Sequence, residues 1–184
     1  MCLFVFQFDY WNPRKLYTCS IDGTFLSRVF RGGSGGQDTD VQTFLSTGNY
    51  DLWYTSFDVS FAGRTMLAGN NVGRVTLMSL DSGEKLWQKR LHKTKVTHIG
   101  FSPREPWMFV TASIDHTVKV WDIRKMQDPT TDDKMVQSLQ ILEHEKGVNN
   151  AEVSTAFFTV PNTVDKFASV YFHLPNKNRA VLRK

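Results

Sequence analysis

One stretch of this chain is written more than once. Thr18-Cys19-Ser20-Ile21-Asp22-Gly23-Thr24 lies almost residue for residue above Thr111-Ala112-Ser113-Ile114-Asp115-His116-Thr117. Between them, Leu67-Ala68-Gly69-Asn70-Asn71-Val72-Gly73-Arg74-Val75 fits the same template. Val75 precedes its counterpart Val118 by 43 residues, and Cys19 precedes Gly69 by 50. Recurrence at this interval constrains the fold more than composition does, because each unit buries its apolar face against the next copy. The Gly/Ser/Asp stretch Arg31 to Asp40 accounts for the longer first interval. It cannot bury apolar surface and is expected as an exposed hairpin loop.

Within a unit the pattern is that of short strands. Val75-Thr76-Leu77-Met78 and Val118-Lys119-Val120-Trp121 read as strands, and Asp22-Gly23, Asp81-Ser82-Gly83 and Ser102-Pro103 supply the reversals. Four short strands in a period near 43 are the signature of a β-propeller blade. The fold expected is therefore all-β, a partial propeller of about three blades plus the start of a fourth. The blades are assigned to residues 1–153. The first blade is expected to lack its early strands, although Leu3 to Phe8 reads as a buried strand. His144-Glu145-Lys146-Gly147-Val148 repeats the His92-to-Val96 pattern and opens the fourth unit. Past Val153 the period stops. Residues 154–184 form a divergent tail with two open readings: a truncated or aberrantly spliced end, or a different segment that caps the last blade. Its order is left open.

Composition bounds the function classes. The chain has 184 residues, 41% hydrophobic, 22% charged and 13% aromatic, an ordinary globular balance with the aromatics that strands favour. The net charge of +4 is compatible with nucleic acid and equally with a solvated basic surface. Two cysteines, Cys2 and Cys19, make neither a disulfide framework nor a metal site and fit a reducing compartment, cytosol or nucleus. The apolar N-terminal run is too short for a membrane span and lacks the basic start and cleavage site of a signal peptide. No cofactor, metal, membrane or small-molecule substrate is implied.

The unit from His92 through Val96, Phe101-Ser102-Pro103 and Thr111 to Trp121-Asp122 resembles the WD40 repeat. In that family a buried His, Ser/Thr, Asp and Trp share hydrogen bonds inside one blade; here these would be His92, Thr111, Asp115 and Trp121. A buried imidazole and carboxylate must be paired, so the assignment is physically sound. His, Asp and a hydroxyl also spell a hydrolase triad. The structural role is preferred, because no Gly-x-Ser-x-Gly elbow, His-Glu-x-x-His, P-loop or Gly-x-Gly-x-x-Gly motif occurs. A binding module rather than an enzyme is expected.

Longer strings narrow the resemblance. Trp53 with Tyr54-Thr55-Ser56-Phe57-Asp58-Val59-Ser60, then Leu91-His92-Lys93-Thr94-Lys95-Val96-Thr97-His98, then Val118-Lys119-Val120-Trp121-Asp122-Ile123-Arg124, are similar to the damage-specific DNA-binding protein 2 family, the WD40 subunit of the ultraviolet-damaged-DNA-binding complex. The similarity runs from Leu16 to Val153, about three quarters of the chain.

The resemblance implies a nuclear protein of nucleotide-excision repair that binds damaged double-stranded DNA and serves a cullin-4 ubiquitin ligase as substrate receptor. The alternative is a WD40 scaffold with protein partners only. The run Phe109 to Arg124 looks like the box that docks damage-specific DNA-binding protein 1, the ligase adaptor. It implies adaptor contacts for Arg124 and Asp122, with Phe109 a departure at its first position. Lys85, Lys89, Arg90, His92, Lys93 and Lys95 fall within eleven residues, and loops could aim several at phosphates. The resemblance singles out Lys95 and Trp53 for DNA, and Lys93 accompanies them; Lys89 and Arg90 are read as solvated charge. The hairpin with which the family probes lesions, and its N-terminal helical arm, have no counterpart in the matched stretch.

Overall fold

The computed structural model describes residues 3–30, 39–46, 48, 51–102, 104–126, 136–144, 151–152 and 171–172. They form three four-stranded antiparallel sheets, each a meander. The first contains β1 (Leu3–Phe8), β2 (Lys15–Ser20), β3 (Thr24–Phe30) and β4 (Thr39–Ser46). The second contains β5 (Tyr54–Ser60), β6 (Thr65–Asn70), β7 (Arg74–Ser79) and β8 (Lys85–Arg90). The third contains β9 (Val96–Phe101), β10 (Met108–Ser113), β11 (Thr117–Asp122) and β12 (Gln140–Glu143). Beyond it, β13 (Ala151–Glu152) pairs with β14 (Tyr171–Phe172). This is the architecture of a partial WD40 propeller.

Side chains alternate faces along a strand, and each face of the middle blade has its own neighbour. Met66, Ala68 and Met78 pack toward the first blade with Tyr17, Cys19, Phe25 and Phe44. Leu67, Val75 and Leu77 pack toward the third with Val96, Ile99, Phe109 and Trp121. Phe25 and Phe57 meet edge to face across the first seam, ring centroids 4.7 Å apart. A strand buried on both faces reads as a nearly continuous apolar run, which is why β6 and β7 show so little polar alternation.

The innermost strands are also tied by polar contacts. Asp58 of β5 accepts the Phe101 amide of β9 at 2.7 Å, and the Thr55 hydroxyl donates to the Val96 carbonyl. The repeated turns share a backbone conformation: Gly23, Gly73 and His116 all have positive φ, at 75°, 86° and 68°. At the equivalent turns of blades one and three, the Asp carboxylate accepts the following Thr hydroxyl at 2.6 Å, Asp22 from Thr24 and Asp115 from Thr117.

Three expectations are corrected. The first blade does not lack its early strands, because β1 completes a four-stranded sheet. Leu3–Phe8 is a strand, yet Phe6 and Phe8 are 61% and 55% exposed. Gln7 faces the second blade, where its side chain bonds Asp58, so the alternating Phe6 and Phe8 face away from it. The expected loop Arg31–Asp40 is shorter, since Thr39 and Asp40 pair with Phe30 and Val29 in the sheet. Residues 31–38 lie outside the described residues, as does the tail except for β14, which brings Tyr171 and Phe172 back to the start of a fourth sheet.

Candidate functional site

An antiparallel meander sorts its loops by parity. Turns after the second strand of each blade, and connections between blades, lie at one end. Turns after the first and third strands lie at the other. Trp53, Lys93 and Lys95 therefore share the first end with turns 21–23, 71–73 and 114–116. Asp122 and Arg124 stand at the second.

The third blade's interior builds the first end. His92 is fully buried. Its Nδ1 lies 3.0 Å from Asp115 Oδ2 and its Nε2 lies 2.7 Å from Thr111 Oγ1. The same Thr111 oxygen accepts the Trp121 indole N–H at 2.8 Å. A neutral imidazole protonated at Nδ1 satisfies the chain: Trp121 donates to Thr111, Thr111 to His92, His92 to Asp115. Burial pushes the His92 imidazole below its ordinary value, outweighing Asp115. Burial alone would raise the Asp115 carboxyl; the bonds from His92, Thr117 and the Lys93 amide prevail and hold it well below the carboxylate range. The geometry is that of a triad, but Thr111 is itself buried and already bonded to Trp121, so no substrate reaches it.

This network fixes the loop from Leu91 to Lys95. Asp115 also accepts the Lys93 amide at 3.0 Å. Gly73's carbonyl accepts the Leu91 and His92 amides at 3.0 and 3.1 Å. Arg90 donates to the carbonyls of His92 and Lys93, and Ser113 Oγ to that of Lys95 at 2.8 Å. Lys119, buried in β11, extends its ammonium to the Leu91 carbonyl at 2.8 Å, and burial lowers its pKa. The loop thus presents Lys93 exposed and Lys95 half-buried on a fixed backbone. Trp53, half-buried at the entry to the second blade, is held by Asn71 of that blade's β6–β7 turn: its amide donates to Asn71 Oδ1 at 3.2 Å and its carbonyl accepts the Asn71 amide at 3.1 Å.

The basic run does not act as one surface. Lys85, Arg90 and Lys93 are exposed, whereas Lys89 and His92 are buried, so Lys89 is not the solvated charge expected. On β8, residues 85 and 89 sit near opposite ends of a strand, and Lys89 opposes Val75 in the sheet.

At the second end the chain turns after Asp122 into a single 3-10 turn, Ile123–Met126. Buried Asp122 accepts the Arg124 amide and its Nε at 3.0 Å and its Nη2 at 2.7 Å. That guanidinium also lies over the Trp107 ring, 4.6 Å from the centroid, and its side chain is 60% exposed. The hydrogen bond from Arg124 holds the Asp122 carboxyl below its ordinary value. Trp107, brought from another loop, was not singled out in the sequence; its only signal is an aromatic two residues before Phe109. Among the described residues, no cluster of His, Cys, Asp or Glu could hold a metal ion, and no helix is long and apolar enough to cross a membrane.

Comparison with known proteins sharpens the picture. The family model described as WD domain, G-beta repeat matches residues 83–122. The chain is 35% identical over 148 residues to DNA damage-binding protein 2 of Bos taurus and 39% identical over 150 residues to that of Gallus gallus, covering 80% of this chain in each case. It is, over part of its length, DNA damage-binding protein 2-like. The chain spans 32% and 28% of those two relatives, about a third of their length. Among solved structures, the β-propeller domain of Cps50 (Swd1) from Myceliophteria thermophila superposes with a TM-score of 0.61 at 9% identity, over 78% of this chain and 46% of that one. At that identity the likeness speaks for the fold alone. Of the strings on which the sequence resemblance rests, Leu91 to His98 includes the loop at the first end and Val118 to Arg124 runs to the second.

Proposed function

We propose that this chain is a damaged-DNA-binding WD40 protein that contacts DNA through the Leu91–Lys95 end and a ligase adaptor through the Arg124 end. The observation that carries the DNA reading is the pinned loop itself. Its carbonyls and amides are bonded to Gly73, Arg90, Ser113, Asp115 and Lys119, so the two lysines are positioned before any ligand arrives. Preorganised cations lose little freedom on binding and add salt-sensitive affinity through phosphates. Trp53 lies at the same end, and the names of the Bos taurus and Gallus gallus relatives carry the damage-binding activity.

The adaptor reading rests on Arg124. Asp122 and Trp107 hold its planar fork with most of its surface in solvent, a geometry suited to a polar pocket on a protein partner. A role in nucleotide-excision repair as a cullin-4 substrate receptor, and a nuclear location, follow if both contacts are made. The burial of His92 and Thr111 supports a binding module rather than a hydrolase.

The test is a titration of the 184-residue chain against two matched duplexes, ultraviolet-damaged and intact, at physiological salt. A preference for damaged duplex that Lys95→Glu weakens about tenfold supports the reading. Equal, salt-sensitive binding to both duplexes rejects lesion recognition. For the adaptor, Arg124→Ala abolishes capture of damage-specific DNA-binding protein 1 with melting unchanged; undiminished capture rejects the role of Arg124.

A further inference from the structure

The second end carries a feature that neither DNA nor the Arg124 corner uses. The turn between β1 and β2 presents Tyr10 and Trp11 at 74% and 73% exposure. Large aromatics left this open contribute little to folding and mark binding surfaces when they sit beside a cavity. These two do. Trp11, Phe61 and Leu80 wall a cavity of about 250 Å³, with Asp9, Lys15, Tyr17 and Arg64 among the rest of its lining. The rings are arranged rather than scattered: Tyr10 meets Trp11 edge to face at 5.0 Å and Phe61 at 6.1 Å.

The turn is rigid. Asp9 Oδ1 accepts the amides of Trp11 and Asn12 at 2.9 and 3.0 Å, and its Oδ2 accepts the Tyr17 hydroxyl at 2.9 Å. The Lys15 amide closes onto the Asn12 carbonyl at 2.8 Å. Asp9 is thus consumed as scaffold, and Asp81 is consumed by Arg64 through bonds of 2.7 and 2.8 Å. Arg14 and Lys15 beside them enter no ion pair among the described residues; Lys15 lies over the Tyr17 ring at 5.1 Å. Asp9 and Asp81 remain charged, so together with Arg14, Lys15 and Arg64 the groups at and beside the slot leave one net positive charge.

We infer that this slot, between the first and second blades, docks a linear peptide that inserts one bulky apolar side chain between Trp11 and Phe61 and sets an adjacent carboxylate against Lys15 and Arg14. At about 250 Å³ the cavity falls just under the roughly 300–1,000 Å³ of small-molecule sites and suits a single bulky side chain. The aromatic geometry decides against a nucleic-acid strand. Bases stack on exposed ring faces, whereas Tyr10 and Trp11 stand at 89° to one another and Asp9 lines the cavity. The site is in different blades from Arg124 and independent of it.

The test uses the full chain and a fluorescein-labelled nonapeptide with one central Phe flanked by Glu and Asp. Saturable binding is expected, weakened at least tenfold by Trp11→Ala and by Lys15→Glu and unchanged by Arg124→Ala. A peptide with Phe replaced by Ala, or with its acids replaced by Lys, fails to bind. Trp11 is solvent-exposed, so matching melting curves for Trp11→Ala and the wild type keep loss of fold out of the comparison. The inference is overturned if the peptide shows no saturable binding, if Trp11→Ala binds as well as wild type, or if labelled oligo-dT competes for the same site more tightly than the peptide.

Discussion

Gly73 sits beneath His92 with no room for a side chain. A Cβ added there would lie 2.2 Å from the His92 carbonyl oxygen, and the residue's φ of +86° already disfavours any other amino acid. The Gly73 carbonyl meanwhile receives two amides from the same loop. The second blade therefore sets the height of the loop that the third blade orients.

Gly73→Ala should lower stability by at least about 2 kcal/mol, combining left-handed strain with a backbone clash. It should also weaken binding to damaged duplex more than any loss of folded protein explains. Urea denaturation and duplex titration on the same preparation check both. A stable variant with unchanged DNA affinity would refute the coupling.

Thr111→Val removes a hydroxyl while keeping its shape. The Trp121 N–H and His92 Nε2 then lose a shared partner in a dry interior, at a cost of about 2–4 kcal/mol. The denaturation midpoint should fall and the Trp121 indole proton should shift in its NMR spectrum. An unchanged midpoint would mean that water replaces the hydroxyl.

Asp58→Ala strands the Phe101 amide and removes a tie between the second and third blades. Burial raises the Asp58 carboxyl above its ordinary value, so a buried charge is being tolerated for the sake of these bonds. Hydrogen exchange at Phe101 should accelerate by at least tenfold, while exchange in β2 and β3 changes far less. Uniform acceleration across all three blades would instead indicate one cooperative unit.

Acid should destabilise the fold well above carboxylate pKa values. His92 is held neutral, with its folded pKa depressed below the ordinary 6.5. The unfolded chain accordingly takes up a proton that the folded chain refuses. That contribution to stability is complete above pH 6.5 and declines as pH falls from there toward the folded value, at up to roughly 1.4 kcal/mol per unit. His144, also lowered by burial, adds in the same direction. Denaturant midpoints at pH 7.5 and 5.5 test this; equal midpoints would count against a buried neutral imidazole.

Repetition made the architecture legible. Positions 23, 73 and 116 could be aligned from their neighbours alone, and their shared left-handed backbone follows from that alignment even where His116 replaces glycine. The destination of individual lysines was not legible. Lys119 lies between Val118 and Val120, and Lys89 beside Arg90, yet both are buried. A long aliphatic stem lets an ammonium travel several ångströms through apolar packing to a carbonyl, so charge in the sequence does not locate it. Trp107 escaped notice for another reason: its partner Arg124 comes from a different loop, and only the closed sheet brings them together. Exposure of Phe6 and Phe8 was missed because hydrophobicity reports an apolar face without saying what stands opposite it.

The parity of the loops carries an evolutionary consequence. Connections at one end can lengthen or shorten without moving those at the other, because four short strands stand between them. The segment from Asp122 to Gln140 is far longer than that from Ser79 to Lys85, yet both begin and end in matched strands. A lineage could thus rewrite the surface at the Arg124 end while the Lys95 end keeps its form.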